Sequence, residues 1–196
     1  RRRAHDQAVR TAHKAHHLAR SPQDVSRFAG LTDVYLTPNL FNGWCRGDLL
    51  SRLCAFFIDI DVRDGSCAVQ AAQTAMDRLG AAGVPEPNIV VYSGRGAHLY
   101  FLLDKPVPAQ AAPRWRAAER RLVEIAGGDL QAADACRVLR LCGTVNSHPQ
   151  AQGAIVRGFL FHPKRYEFDW FCDEVLDLTR ADVREMRKEK ASRKAA

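Results

Sequence analysis

The chain has 196 residues, with 29 Lys and Arg against 22 Asp and Glu, a formal net charge of +7, and 46% hydrophobic residues. That length suits one domain with a small appendage and excludes a multi-domain machine. No apolar run approaches the roughly 18–20 residues of a membrane span, so a soluble protein with no membrane partner is expected. The basic excess favours polyanionic partners without separating DNA, RNA, nucleotides and anionic surfaces.

Residues 1–20 are rich in Ala, Arg and His and lack Gly and Pro, which predicts a basic helix stopping near Ser21-Pro22 within a basic N-terminal helical element over 1–30. Its histidines His5, His13, His16 and His17 have no Cys or carboxylate to complete a metal site and are read as a solvated helix face. A chain that opens on Arg1 rather than Met is expected to be part of a longer polypeptide. It carries no secretory signal pattern, so the cytoplasm is expected. The main domain is expected over 31–180.

Val34-Tyr35-Leu36 predicts a short strand before Pro38, and 39–48, with Asn42-Gly43, a loop or hairpin connection. The strongest strand signal is Phe56 to Val62, where Phe56, Ile58, Ile60 and Val62 share one face and Phe57, Asp59 and Asp61 the other. Val69, Ala72, Met76 and Leu79 predict a helix ended by Gly80 and Gly83. Ile89–Tyr92 and His98–Leu103 predict strands joined through Ser93-Gly94-Arg95-Gly96. Pro113 opens a helix with Trp115, Ala118, Leu122 and Ile125 as its apolar stripe and Gly127-Gly128 as its end. A closing strand over 154–161, a short apolar helix over 168–176 and a charged C-terminal tail over 181–196 complete an α/β or α+β layer around one sheet. The six cysteines, Cys45, Cys54, Cys67, Cys136, Cys142 and Cys172, have no C-x-x-C spacing and are read as reduced, buried thiols.

Three segments carry chemistry. Asp59 and Asp61, two apart on a strand, project from one face close enough to share divalent cations, and their mutual repulsion asks for a metal or a basic neighbour. In Ser93-Gly94-Arg95-Gly96-Ala97-His98, alternate glycines let backbone N–H groups converge on an anion, with Arg95 and His98 adding donors for phosphate. The segment lacks the ending of a P-loop and leads into a strand, so it is neither a Walker motif nor a dinucleotide fingerprint. In the third, Asp134 precedes Arg137 and Arg140, and Gly143-Thr144 leads to Asn146; arginines clamp phosphates bidentately and a carboxylate completes a metal shell, although a surface ion pair is the commoner outcome for such residues taken singly.

D-x-D on an apolar strand, then S-G-R-G-x-H-x-Y-F, then D-x-x-R-x-x-R-x-x-G-T-x-N, in this order, resemble the signature regions of the archaeo-eukaryotic primase superfamily, with the closest likeness to primase-polymerase and RepB-type primase domains of plasmids, phages and integrated elements. The likeness covers roughly residues 30–160. It implies a catalytic core related to the RNA-recognition fold, a mixed sheet packed with helices, and a template-dependent nucleotidyltransferase acting on NTP or dNTP. It implies that Asp59, Asp61 and Asp134 are catalytic and hold two Mg²⁺ or Mn²⁺ ions. Nucleotide binding falls to Ser93, Arg95, Gly96, His98, Arg137, Arg140 and Asn146. A single-stranded DNA template is the implied partner, with a helicase or other replication domain elsewhere in the full polypeptide. The sequence departs from the family pattern at Cys142, where many relatives have Pro, and at His148, where they have Lys; Asp129 competes with Asp134 as the third carboxylate.

Two rivals belong to other classes. A non-catalytic single-strand-binding module would stack bases on strand aromatics such as Phe57 and Tyr100, but does not account for two aspartates on that face. A replication-initiating nuclease of the paired-histidine kind needs two histidines alternating on one strand with a tyrosine nucleophile nearby.

Overall fold

Phe56, Phe57, Ile58 and Ile60 leave no polar face long enough to meet water over the middle of their strand, so that strand requires cover on both sides. In the computed structural model, which describes residues 7–10, 16–19, 22–62 and 67–195, it is β5 (Leu50–Asp61), and Leu53 and Ala55 to Ile60 are all buried. β5 lies within a five-stranded sheet of order β4-β5-β7-β6-β9, built with β4 (Leu40–Phe41), β6 (Ile89–Tyr92), β7 (Gly96–Pro108) and β9 (Arg157–Leu160). Its strand pairs are all antiparallel, where a mixed sheet was expected. Hairpin connections between β4 and β5 and between β6 and β7 account for this, since neighbours joined by short loops must run in opposite directions.

Helices close one face. After the short α1 (Pro22–Ser26), the amphipathic segments read from sequence form α2 (Ala68–Ala81) and α3 (Ala112–Ala126), the latter ended by Gly127 at φ +74°. Phe56 stacks against Trp115, Phe168 and Phe171 at centroid distances of 6.0, 5.8 and 5.0 Å, which joins α3 and the turn of helix α4 (Phe168–Trp170) to the sheet in one aromatic core. α3 also covers the edge of β5 that the short β4 leaves open. Trp115 Nε1–H donates to the Ala55 carbonyl at 2.9 Å, and the Glu119 carboxyl accepts the Phe57 N–H at 3.2 and 3.3 Å.

A second, smaller sheet of order β2-β1-β3-β8 is also antiparallel, with β1 (Gln7–Arg10), β2 (His16–Ala19), β3 (Tyr35–Leu36) and β8 (Leu139–Arg140). Leu36, Pro38 and Arg140 to Cys142 from this side, with Ala55, Val91, Tyr100 and Leu102 of the large sheet, enclose an apolar cavity of about 240 Å³. The second sheet therefore covers the face that holds Asp59. It also corrects the expected N-terminal helix: residues 7–10 and 16–19 are strands, and Val9 pairs with Leu36. Helix propensity is a weak prior, and pairing with the open edge of β3 overrides it. His5 and His13 lie outside the described residues.

The expected tail over 181–196 is also corrected: it begins as helix α5 (Arg180–Ala195) with Val183 buried. Thr179 and Asp182 cap it reciprocally, the Thr179 N–H on Asp182 Oδ2 at 2.8 Å and the Asp182 N–H on Thr179 Oγ1 at 3.2 Å. All six cysteines are free thiols, but only Cys172 is buried, and Cys67 and Cys142 are exposed. Among the described residues no helix is long and apolar enough to cross a membrane.

Candidate active site

The β5–β7 register builds the first wall of the site. Asp59 pairs with His98 and Asp61 with Gly96, so the first two motifs of the sequence lie side by side. Gly96 is required there. A Cβ on it would fall 1.9 Å from the Ile60 carbonyl oxygen, so only a residue without one lets the strands approach. Gly94, at φ +90°, turns the chain, and the Ser93 N–H closes the turn on the Gly96 carbonyl at 2.9 Å.

The third motif folds as a loop around β8 and is pinned to that turn. Asn146 Nδ2 donates to the Ser93 carbonyl at 2.6 Å, and Asn146 Oδ1 accepts the His148 N–H at 3.0 Å. Thr144, fully buried, donates to the Leu141 carbonyl at 2.6 Å. These polar residues hold the loop's shape, so the signal at Asn146 is first one of architecture.

Together the walls enclose a polar cavity of about 300 Å³ lined by Asp59, Asp61, Ser93, Arg95, His98, Arg137, Arg140, Asn146, His148 and Tyr35. All the expected site residues meet there except two. Gly96 acts through the backbone, at its pairing with Asp61. Asp134 does not line the cavity; its carboxylate accepts the Cys136 N–H at 3.3 Å, and among the described residues no group of three His, Cys, Asp or Glu is placed to hold a metal ion. The Asp134 side chain folds back on its own turn, whose Arg137 N–H donates to the Asp134 carbonyl at 2.9 Å. Asp129 reaches the site by its backbone, donating its N–H to the Asp59 carbonyl at 2.9 Å, while its side chain caps Gln131.

Inside, three arginines face two carboxylates. Arg137 Nη2 donates to Asp59 at 2.8 Å, and Arg95 Nη2 to Asp61 at 3.3 Å. His98 Nε2 lies 3.7 Å from Asp59; burial depresses the imidazole pKa, and the Asp59 charge pulls the other way. Arg140 is held apart by a residue that the sequence reading missed. Its Nη1 donates to Asp33 at 2.5 Å, and its guanidinium sits 4.9 Å above the Tyr35 ring. Asp33, at φ +53°, also accepts from the Ser147 N–H and hydroxyl; burial opposes its ionisation, but the bonds from Ser147 and Arg140 hold its pKa below the ordinary carboxylate value.

Several polar groups have no partner. His98 Nδ1 and Arg137 Nε are buried with no hydrogen-bond partner among the described residues. At His148, the Gln150 N–H points at Nδ1 (3.3 Å) while Arg95 Nη1 lies 3.1 Å from Nε2. A neutral imidazole accepts at only one nitrogen, so one of these two donors is left over. Buried unpaired groups are costly, and here they belong to residues that line one cavity.

No family model matches the chain. It is 34% identical over 120 residues to a replication protein of Clostridium perfringens; those residues are 59% of this chain and 29% of the relative, so the chain spans under a third of that curated relative's length. Among solved structures, the AEP domain of the cyanophage S-2L primase-polymerase superposes with a TM-score of 0.63 at 20% identity, covering 89% of each chain. The chain has the archaeo-eukaryotic primase fold. The catalytic domain of primase RepB′ in complex with initiator DNA shares this primase fold at a TM-score of 0.53 and 16% identity, covering 96% of this chain and 89% of that one. Primase RepB′ itself gives 0.56 at 13%, covering 97% and 62%.

The residues named for the two rival readings do not serve them. Phe57 is buried, and Tyr100 is half-buried against the apolar cavity, so neither offers an open stacking face. His16 and His17 occupy consecutive positions of β2, where the nuclease reading needs alternate ones.

Proposed function

We propose that this chain is the nucleotidyl-transfer domain of a replication primase-polymerase, which extends a nucleic-acid chain on a single-stranded DNA template by attack of a 3′-hydroxyl on the α-phosphate of an NTP or dNTP, with release of pyrophosphate. The observation that carries this reading is the company kept by the unsatisfied polar groups: His98 Nδ1, Arg137 Nε and the Arg95–His148 pair belong to side chains that line the cavity also holding Asp59 and Asp61. An oligophosphate supplies many acceptor oxygens to such a set, and arginine forks match phosphate geometry.

The donor set fits divalent cations. Asp59 and Asp61 are hard oxygen ligands on one wall, and Mg²⁺ is commonly held by one or two carboxylates together with substrate phosphates, without an all-protein cage. Two such ions, Mg²⁺ or Mn²⁺, would supply activation of the attacking hydroxyl and neutralisation of the leaving group. The residues of the chain then divide the remaining work. Asp59 and Asp61 would hold the cations. The guanidiniums of Arg137 and Arg95 beside them, with His98 and His148, bind the triphosphate. Asp33 and Tyr35 keep Arg140 oriented at the cavity wall.

Labelled-nucleotide incorporation on a single-stranded template with Mn²⁺ tests the proposal. Asp59→Asn is expected to lower incorporation at least about 100-fold while leaving template binding within two-fold, the scale of losing a group that acts in the transition state. Asp134→Asn, whose carboxylate lies outside the cavity, is expected to cost less than Asp59→Asn. Unaltered extension by Asp59→Asn overturns the reading.

A further inference from the structure

From Ala135 to Tyr166 the chain contains no Asp or Glu, yet it carries Arg137, Arg140, Arg157, Lys164 and Arg165. The first two belong to the cavity. Of the other three, Arg157 opens β9, the edge strand of the large sheet, Lys164 and Arg165 follow it, and all are exposed. Arg157, Phe159 and Phe161 alternate along the chain, so they fall on one face at steps of about 7 Å. Phe159 and Phe161 are 51% and 50% exposed, an unusual state for two large aromatics so close together. Neither is loosely held: Tyr92 meets the Phe159 ring edge-on at 5.9 Å. The turn after β9 is fixed by Asn88, whose Nδ2 donates to the His162 and Lys164 carbonyls at 2.9 and 2.7 Å.

The side chains of this row lie on the helix-covered face of the sheet, opposite the cavity. Arg157 pairs with Tyr92, Phe159 with Val90 and Val90 with Leu99, whereas His98, the partner of Asp59, pairs with Val91 and Val91 with Gly158. It is the backbone of β9 that is continuous with the active site. The Asn146 N–H donates to the Ala154 carbonyl at 2.9 Å and the Val156 N–H to the Thr144 carbonyl at 2.8 Å, so β9 emerges directly from the loop that walls the cavity. Exposed rings in line, bordered by cations, match the chemistry of an unpaired nucleic-acid strand: bases stack on the rings and phosphates meet the cations. A duplex keeps its bases paired and cannot use the rings. Asp77 and Glu86 border a groove beside Phe161, which leaves the side of Arg157, Lys164 and Arg165 for the phosphates.

We infer that Arg157, Phe159, Phe161, Lys164 and Arg165 form a track along the edge of the large sheet on which single-stranded nucleic acid is stacked. The identity of the strand as template rests on the function proposed above; the track itself does not.

Fluorescence anisotropy with a labelled 20-nucleotide oligo-dT, and with its duplex, tests the track. Phe159→Ser/Phe161→Ser is expected to weaken single-strand binding ten-fold or more and to leave duplex binding unaltered. Phe159→Trp/Phe161→Trp, which keeps stacking rings, holds near wild-type affinity. Arg157→Glu/Lys164→Glu, confined to exposed charges, provides a second arm should the serine variant melt below the wild type, and is also expected to lose ten-fold. Unchanged single-strand affinity in both arms overturns the inference, as does a shift from dimer to monomer in sedimentation with strand affinity retained, which would make β9 a contact between copies. Binding of Mn²⁺–dATP, followed alongside, separates the two proposals. Its absence from the wild-type chain sinks the nucleotidyl-transfer reading alone, and its persistence beside an unaffected strand affinity sinks the track alone.

Discussion

Gly96 sets the distance between β7 and β5, the strand that carries Asp59 and Asp61. With the Ile60 carbonyl oxygen 1.9 Å from any added Cβ and the Asp61 Cα 3.3 Å away, Gly96→Ala forces β7 off β5 beside Asp61. Overpacking of this kind costs about 1–3 kcal/mol, or roughly 3–10 °C in a chain of this size, and the carboxylate moves with the backbone. The expected outcome is therefore a lower melting temperature together with at least a ten-fold loss of incorporation; a variant with wild-type values of both would show that the strands have slack. At this scale the sequence was informative where local geometry decides. Asp59, Asp61 and His98 follow from strand alternation and from the order of two adjacent motifs. Asp33 does not, because the partner that explains it, Arg140, lies 107 residues away, and nothing in its own neighbourhood marks it. The resemblance implies Asp134 as a third metal carboxylate, but short side chains of this type bond readily to backbone N–H groups two residues on, as Asp134 does to Cys136.

The clearest case of one element completing another is α3 on the open edge of β5. A sheet edge buried against a helix must find donors and acceptors, and Trp115 and Glu119 supply one of each. Glu119 is fully buried; desolvation raises its pKa well above the ordinary 4.5, and the Phe57 N–H offsets this only in part. The unfolded chain releases this proton above about pH 4.5 while the folded chain retains it, so stability falls as pH rises through the window between the unfolded and folded pKa values. Glu119→Gln keeps an acceptor for the Phe57 N–H and removes the titration. Thermal melts are expected to place Glu119→Gln about 3 °C or more above the wild type at pH 7.5 and level with it at pH 4; parallel curves would mean that Glu119 is ionised in the fold. Elements of this kind were legible where apolar periodicity was strong, as in α2, α3 and β5. The N-terminal strands were not, since four-residue strands in an Ala- and Arg-rich stretch carry no alternation to read, and their pairing partner lies beyond residue 30. The Thr179–Asp182 cap was a readable start signal for α5, obscured by the charge of that helix.

Over the whole molecule the net charge of +7 is unevenly placed. Asp and Glu crowd 167–177, around Trp170 and Asp173, whereas the preceding 32 residues have none. The basic surplus thus falls on the loop that lines the cavity and on the strand that leaves it. If the three cations at β9 each meet a phosphate, counterion release gives a single-strand affinity that falls with a log–log salt slope of about −2, or roughly 20-fold between 50 and 200 mM salt. Lys164→Glu/Arg165→Glu removes two of those contacts and is expected to flatten the slope by more than half. Phe159→Ser/Phe161→Ser weakens binding at every salt concentration with the slope retained, because stacking releases no ions. Equal slopes for the charge variant and the wild type would place the phosphates elsewhere, on the arginines of the cavity. Anisotropy titrations at four salt concentrations distinguish these cases, and they separate two contributions that a single affinity measurement merges: the charge that draws a strand to this face and the rings that hold it there.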